Sequence, residues 1–587
     1  MAAALPSPGL FSPGRIGPVE IRNRIVMPPM TTRLADAQGF ATDATLAWYG
    51  ARAAGGTGLV TVEMSSVETS GKHRAHELGI NHDRFVPGLT RLARAIQDRG
   101  ARASIQIGHA GGHTREDICG ESPIAPSALP HYVYEVTGAT IVPLEMTHDR
   151  IAQTTRAFAE AAARARRAGF DCVELHGAHG YLLSQFLCPR ENIRTDDYGG
   201  SLENRARFAL GIVRAVREAV PDAGLIYRMS ADDLFPGGFT QDEGMQLARW
   251  VQAAGADAIH VSAGHYRSLP SPDVISAPMS YPDGNFLHFA RAVKAIVTVP
   301  VIAVGRLGDP DLARGVIESG QADFVSLGRT LIADPQWAAK VASGRAVRPC
   351  LACNTCANEM RSGAAMGCVV NAAAARELSL APGEVGPRKR IAVIGAGPAG
   401  LSYAHLAAAR HDVTLFERGS VPGGAFLLTG KAPLFQDVVA AESTFARYVS
   451  QMLQACHEAG VDVRLNADPL RNDGLRGKFD VVVIAAGARY RWGLGPIARW
   501  LLESGSARKK PWAGIFSTPG WRQWFYYTAR APLGESLRAL VPAGIEVRVI
   551  GDARQAGKSR EAIADAFQQA WDCPPVCAVE IIGSNIG

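Results

Sequence analysis

Eight short runs rich in β-branched and apolar residues recur along roughly the first 330 residues. They are IVMPPM (25–30), GLVTVEMSS (58–66), RASIQIGHA (102–110), DCVELHGAH (171–179), LIYRMSA (225–231), DAIHVSAG (257–264), VIAVGRL (301–307) and DFVSLGRT (323–330). Between most of them lie Ala/Arg/Glu-rich stretches of helical period, such as RAFAEAAARARRAG. Strands this uniformly apolar are buried on both faces, which parallel strands with helical crossovers achieve. Eight such units predict a (β/α)₈ barrel over residues 1–345; a doubly wound open sheet is the alternative.

Polar residues and glycines stand at the carboxyl ends of these runs: His109, His176, His179, Arg228, Gly305, Arg306, Gly328 and Arg329. In a barrel those ends share one rim, where catalytic groups collect. The last two strands close on Gly-Arg pairs, in AVGRLGDP and SLGRTLIADP. Glycine lets a backbone approach a phosphate and arginine neutralises it, so a phosphorylated cofactor is expected there. A single Gly-Arg pair is otherwise a turn with a solvated charge.

The pattern changes after residue 388. RKRIAVIGAGPAGLSYAHLAAARHDVTLFER reads strand, glycine turn, helix, strand. The spacing Gly395-x-Gly397-x-x-Gly400 brings a turn to a pyrophosphate at a helix N-terminus, and Glu417 closes the unit where it can accept from a ribose hydroxyl. Gly423-Gly424, the strand FDVVVIAAGA (479–488) and a Gly551-Asp552 turn before a helix extend a Rossmann-type domain over 389–587.

Between the two parts, in 346–388, four of the ten cysteines gather as Cys350-x2-Cys353-x2-Cys356-x11-Cys368. Three thiolates in a tight loop and one returning suit the corners of a [4Fe–4S] cube, which would relay electrons between flavin-type domains. Zinc is the alternative, although structural zinc more often takes two separated Cys pairs. The other cysteines (Cys119, Cys172, Cys188, Cys456, Cys573 and Cys577) are mostly scattered, unlike a disulfide framework.

The stretch NIRTDDYGGSLENRARF (192–208), the element HGAHGY and the cluster CLACNTC resemble the class-II Old Yellow Enzyme-like flavoproteins. That group includes 2,4-dienoyl-CoA reductase, bile-acid-inducible enoate reductases and trimethylamine dehydrogenase. The likeness covers residues 8 to about 490, thins, and returns around 545–570. It implies FMN in the barrel, a [4Fe–4S] cluster, and a dinucleotide, usually FAD, in the C-terminal part. It assigns Pro28, Met30 and Thr31 to the isoalloxazine edge, Gln106 to the pyrimidine ring and Arg228 to the N1/O2 side. Gly305, Arg306, Gly328 and Arg329 take the FMN phosphate. His176 and His179 would donate to one substrate oxygen while Tyr181 protonates the neighbouring carbon. Read without the family, two histidines at a strand end are as readily metal ligands or packed core groups.

One departure stands out. By the resemblance, full-length relatives carry a separate nicotinamide-binding lobe with a second GxGxxG inserted within the FAD domain, and between Gly487 and Gly551 that insert is largely missing, so the domain is shortened around 488–545. GLGPIA (493–498) fits GxGxxA, but RYRW precedes it where a buried strand is required, which argues against a dinucleotide site. Five of the nine tryptophans fall within 492–524, either as a rebuilt small core or as an interface.

The expected activity is reduction of an activated C=C bond (enoate, enone or enoyl-CoA) with NAD(P)H as donor. The alternative is an amine dehydrogenase or N-demethylase that passes electrons through the cluster to a partner flavoprotein. The alkene reading is favoured by three features. No cysteine lies near the first strand to attach FMN, His176 stands where the amine enzyme has tyrosine, and Arg267 would repel a cation. Composition narrows the rest: 47% hydrophobic and 20% charged residues and a net charge of +6 match a globular chain of several domains, with no basic arm for nucleic acid. No apolar run reaches the ~18 residues of a membrane span and no signal peptide is evident, so a cytoplasmic enzyme acting on a small molecule is expected. A homo-oligomer is compatible with this.

Overall fold

The computed structural model describes residues 9–131, 141–267, 274–381, 386–471 and 474–571; Cys573 and Cys577 lie outside them. The chain divides into two compact units. The first comprises residues up to Leu331 with Pro335–Ala342 and Ala357–Met366. The second comprises Ile332–Asp334, Ser343–Cys356 and the chain from Gly367. Within 346–388, all four clustered cysteines belong to the second unit and the helix-bearing stretch 357–366 to the first.

The first unit is a closed barrel. Its parallel strands are β1 (Ile25–Met27), β2 (Leu59–Ser66), β3 (Arg102–Gly108), β4 (Cys172–Gly177), β5 (Gly224–Ser230), β6 (Ala258–Ser262), β7 (Val301–Ala303) and β8 (Phe324–Ser326), paired in chain order with β8 against β1. Each run expected from the sequence overlaps one of these strands. Nearly every strand residue is buried, as a sheet wrapped by helices requires. The helix His148–Arg167 shows how the wrapping works: Ile151, Thr154, Phe158, Ala161, Ala162 and Ala165 are buried at helical spacing. Thr147 caps its start by accepting from the Arg150 N–H at 3.2 Å.

An antiparallel hairpin, Gly14–Ile16 with Val19–Ile21, lies at the amino end of the barrel. Its Ile16 and Ile21 pack with Val26, Leu59, Cys172, Ile226, Ala258, Ile302 and Phe324, mostly residues at or near strand starts. This plug leaves the carboxyl rim as the open end.

The second unit contains a five-stranded parallel sheet. Its strands are β9 (Arg390–Ile394), β10 (Asp412–Phe416), β11 (Asp462–Arg464), β12 (Val481–Ile484) and β13 (Glu546–Val549), in the order β11-β10-β9-β12-β13. The stretch between β12 and β13 forms an antiparallel pair, Ala488–Tyr490 with Arg530–Pro532, and short helices including Leu494–Glu503 and Trp512–Ser517. The three-residue strand before Gly493 is antiparallel and half exposed, not the buried strand a second dinucleotide turn needs. The small core beside it is Ala432, Leu501, Leu502 and Ala507 with Leu428 and Phe516. The tryptophans do not build that core: Trp492, Trp500, Trp512, Trp521 and Trp524 are 36–65% exposed. Among the described residues no helix is long and apolar enough to cross a membrane.

Phe324 is fully buried at the base of the barrel. Phe324→Ala should cost about 3–5 kcal/mol, read as a lowered urea midpoint with an unchanged slope.

Candidate functional site

Parallel pairing sets the site. His176 on β4, Arg228 on β5 and His260 on β6 are register partners, so they form one row across three adjacent strands. Gln106 on β3 is likewise in register with Glu174 on β4. Side chains in register on parallel strands point the same way, so the row faces one side of the sheet together. Glu174 accepts from Gln106 Nε2 at 2.8 Å and pairs with His260 Nδ1 at 2.9 Å.

Arg228 is 8% exposed, and its Nε and Nη1 have no partner within the protein. Burial lowers its pKa, and Glu174 opposes that. A buried guanidinium with two unmet donors is costly unless an acceptor from outside the chain completes it. An anionic ring edge such as the N1/O2 side of a reduced flavin is chemically suited, so these residues fit the FMN that the family implies.

His176 is 5% exposed with Nδ1 unpartnered. His179 adopts φ 65°, its N–H donates to Ser230 Oγ at 3.0 Å, and its Nε2 lies 2.8 Å from Ser262 Oγ. The two histidines are therefore not an equivalent pair: Ser262 already engages one ring nitrogen of His179. Burial, then the Arg228 charge, pushes both imidazoles well below their usual pKa, so both are neutral at neutral pH. Tyr181 begins the helix Leu182–Leu187, with its ring centre 4.5 Å from that of His176. Its hydroxyl lies 3.4 Å from Tyr266 Oη, and burial and Tyr266 raise its pKa well above 10, keeping it protonated.

Gly305 has φ 113°, which a side chain would strain, and a Cβ there would come within 2.9 Å of Asn285 Oδ1. Gly328 faces Pro28 and Met30, each 3.2 Å from where a Cβ would sit. Arg306 pairs with Asp283 at 2.7 Å and donates to Pro278 O at 2.8 Å. Arg329 donates to Ser276 O at 3.2 Å and Ala277 O at 2.8 Å. Both arginines thus also anchor the 276–283 segment, a role the sequence did not indicate. Thr31 Oγ1 lies 3.5 Å from His73 Nε2. His109 is taken up by Ser70 Oγ at 3.2 Å and by the Gly111 N–H at 2.9 Å, a packing role.

Several residues about this rim were not singled out from sequence. The His113 ring stacks on Tyr266 at 4.3 Å. Glu191 pairs with His265 at 3.3 Å and Arg267 at 3.5 Å; burial opposes its ionisation, but these charges hold it down at about 2. Among the described residues one group of three ligand-type atoms lies within 4.8 Å: Cys188, Asp233 and His265. Burial raises the Cys188 thiol, which holds a proton that a metal would have to displace, and lifts the Asp233 carboxyl to about 6.

In the second unit, the cysteine loop is tightly curled. Ala352 and Asn354 on either side of Cys353 have φ 48° and 58°, and the Ala352 N–H donates to Cys350 Sγ at 3.3 Å. Cys353 Sγ lies 3.3 Å from Thr355 Oγ1. Burial and then the neighbouring Cys350, Cys353 and Cys356 push the Cys368 thiol well up.

The glycine turn after β9 serves three separate needs. Gly395 has φ 106°, and a Cβ there would lie 2.6 Å from Ala485 O. A Cβ on Gly400 would lie 1.9 Å from Gly395 O, so helix and turn pack only without one. Gly397, the N-cap of helix Pro398–Ala407, faces open space where a pyrophosphate could approach. Glu417 accepts from the Ala396 N–H at 3.0 Å and the Gly419 N–H at 2.8 Å. Asp552 after Gly551 pairs with Arg530 at 2.6 Å, a partner from the shortened lobe.

Beneath the rim, Glu63 on β2 accepts from Thr32 N at 2.8 Å and Thr32 Oγ1 at 2.6 Å, fixing the segment that bears Thr31. Burial raises its carboxyl from 4.5 to about 7, against the Thr32 hydrogen bonds. The folded chain holds this proton more tightly than the unfolded one, so the contribution is fully present below the unfolded pKa and lost as pH rises through the folded pKa. The loss is about 3 kcal/mol. Glu63→Gln should gain stability relative to the native chain between about pH 5 and pH 7 and hold a constant difference above, measured by urea unfolding across pH.

A sequence model of the NADH:flavin oxidoreductase / NADH oxidase family matches residues 9–348, and one of the NAD(P)-binding Rossmann-like domain matches 393–428. An NADH oxidase of Thermoanaerobacter brockii is 41% identical over 435 residues, covering 73% of this chain and 66% of that one. A cinnamate reductase of Clostridium sporogenes is 32% identical over 82% of this chain and 74% of its own. The structure of 2-naphthoyl-CoA reductase with 2-naphthoyl-CoA superposes with a TM-score of 0.83 at 26% identity, covering 96% of this chain and 99% of that one. The chain thus spans about two thirds to three quarters of the curated relatives' length. With a family match over most of the barrel and a glycine turn in the second unit, this chain belongs to the NADH:flavin oxidoreductase / NADH oxidase family and is a flavin-dependent oxidoreductase.

Proposed function

We propose that the chain reduces an activated carbon–carbon double bond conjugated to a carbonyl, using NAD(P)H. FMN would be held on the barrel rim, a [4Fe–4S] cluster at Cys350, Cys353, Cys356 and Cys368, and FAD at the Gly395–Gly400 turn with Glu417. The observation that carries this reading is the rim itself: neutral His176 and His179 and a protonated Tyr181 beside a buried, incompletely paired Arg228. Two relatives whose names denote reductases of cinnamate and 2-naphthoyl-CoA, both conjugated acyl compounds, support it.

Gly305, Arg306, Gly328 and Arg329 would hold the FMN phosphate, Gln106 and Arg228 the pyrimidine side, and Pro28, Met30 and Thr31 the ring edge. When bound, FMN would supply the hydride for the β carbon. His176 donates to the substrate carbonyl oxygen and draws electron density from the double bond, with His179 held beside it by Ser262. Neutral imidazoles suit this task, since they donate without adding a buried charge. Tyr181 keeps its proton until the α carbon becomes basic and then delivers it. Arg228 stabilises negative charge at the ring edge without moving.

One observation favours the second reading, oxidation of an amine. Arg267 would repel a cationic substrate if its charge stood alone, but Glu191, held ionised, pairs with it at 3.5 Å. Amine turnover with no enone turnover in the native chain would establish that reading instead.

Two variants test the proposal. Tyr181→Phe should leave flavin bleaching by NAD(P)H unchanged and slow reduction of cinnamate or 2-cyclohexenone about 10²–10⁴-fold; an enone rate equal to the native one removes the assigned role. Cys353→Ser should lose iron and acid-labile sulfide while keeping FMN, and zinc without sulfide in the native protein would overturn the cluster.

A further inference from the structure

The second unit contains a cavity of about 240 Å³ that the barrel chemistry does not use. Ala425 and Leu428, just beyond Gly423-Gly424, form part of its wall, and the shortened lobe supplies most of the rest. Its aromatic lining includes Trp512, Phe516, Trp521, Trp524 and Phe525. Trp492 and Trp524 stack at 5.8 Å with planes 7° apart, and Trp521 meets Trp524 edge-on at 5.9 Å. The lobe's own core is completed by alanines and leucines with Phe516, so these indoles are not needed to fill it. Their exposed faces cost free energy that a bound apolar surface would recover.

One polar group in the lining is left incomplete. Arg522 donates through Nη2 to Asp437 at 2.5 Å, while its Nη1 is enclosed without a partner. The other arginine of the lining, Arg530, is taken up by Asp552 at 2.6 Å and by Tyr526 O at 3.0 Å. Asp437 already balances the Arg522 charge, so the remaining N–H calls for a neutral acceptor rather than a second anion. The size is as specific: a dry cavity of ~150 Å³ takes benzene, and drug-sized ligands need ~300 Å³ or more. The cavity fits one or two fused rings and is too small for a dinucleotide. Flat aromatic walls favour a planar ring over a flexible chain.

We propose that this cavity binds a planar, neutral ring system carrying a carbonyl oxygen, the chemistry of a quinone headgroup, with the carbonyl accepting from Arg522 Nη1. The site lies wholly in the second unit and does not depend on what the barrel reduces.

The test is equilibrium dialysis of the full-length holoprotein against menadione, with decanoate as a flexible competitor of similar bulk. Ala498, buried in the cavity wall, and Arg522 supply the variants. Ala498→Phe fills the space and should weaken menadione binding at least tenfold. Arg522→Leu removes the donor, leaves Asp437 in solvent, and should weaken it about tenfold. Decanoate should not displace menadione. Any menadione held on the barrel rim would be unaffected by either variant. Equal binding by the native chain and both variants overturns the site. Loss in Ala498→Phe with none in Arg522→Leu overturns the role of the carbonyl, and displacement by decanoate overturns the planar ring.

Discussion

A guanidinium shut away from water with two donors unmet is the constraint around which the barrel rim is arranged. Arg228 has Glu174 as its counter-charge, and Glu174 is itself shared between Gln106 and His260. That leaves two donors of the cation, Nε and Nη1, without a partner. A protein keeps such a group only if something outside the chain completes it, because the desolvation cost of an unmet charged donor is several times that of an ordinary polar group. The same charge helps keep His176 and His179 neutral, so the protonation of both imidazoles depends in part on this one residue.

The sheet of the second unit does not depend on the connection between β12 and β13. Its five parallel strands need only the crossover helices to bury their faces, so that connection can build a small lobe of its own. Alanines and leucines with Phe516 form the core of that lobe, and partly exposed tryptophans line part of the cavity it encloses with Ala425 and Leu428. Arg530 crosses to Asp552 and ties this lobe to the glycine turn before the last helix.

The architecture was open to reading because its signals are local. Apolar runs of strand length, helical periods between them and a glycine turn followed by an acidic residue each report on a few neighbouring positions, and each corresponds to a strand or turn observed here. Boundaries were less accessible: the 346–388 segment divides between the two units because packing partners far along the chain decide where a linker belongs. Trp492 to Trp524 were expected to be a small core rather than a surface, and the structure leaves them partly exposed, since composition does not record which indoles find an apolar neighbour.

The sequence by itself determined the barrel, the Rossmann-type sheet, the family and the types of residue at the rim, because these follow from periodicity and from spacings within a few tens of residues. Only the tertiary structure decided how the site residues relate. It set His176 and Arg228 side by side, gave one nitrogen of His179 to Ser262, bound Arg306 to Asp283 and compensated Arg267 with Glu191. Those contacts join residues from 23 to 83 positions apart. They exist only once the barrel has closed and its burial has set which charges persist.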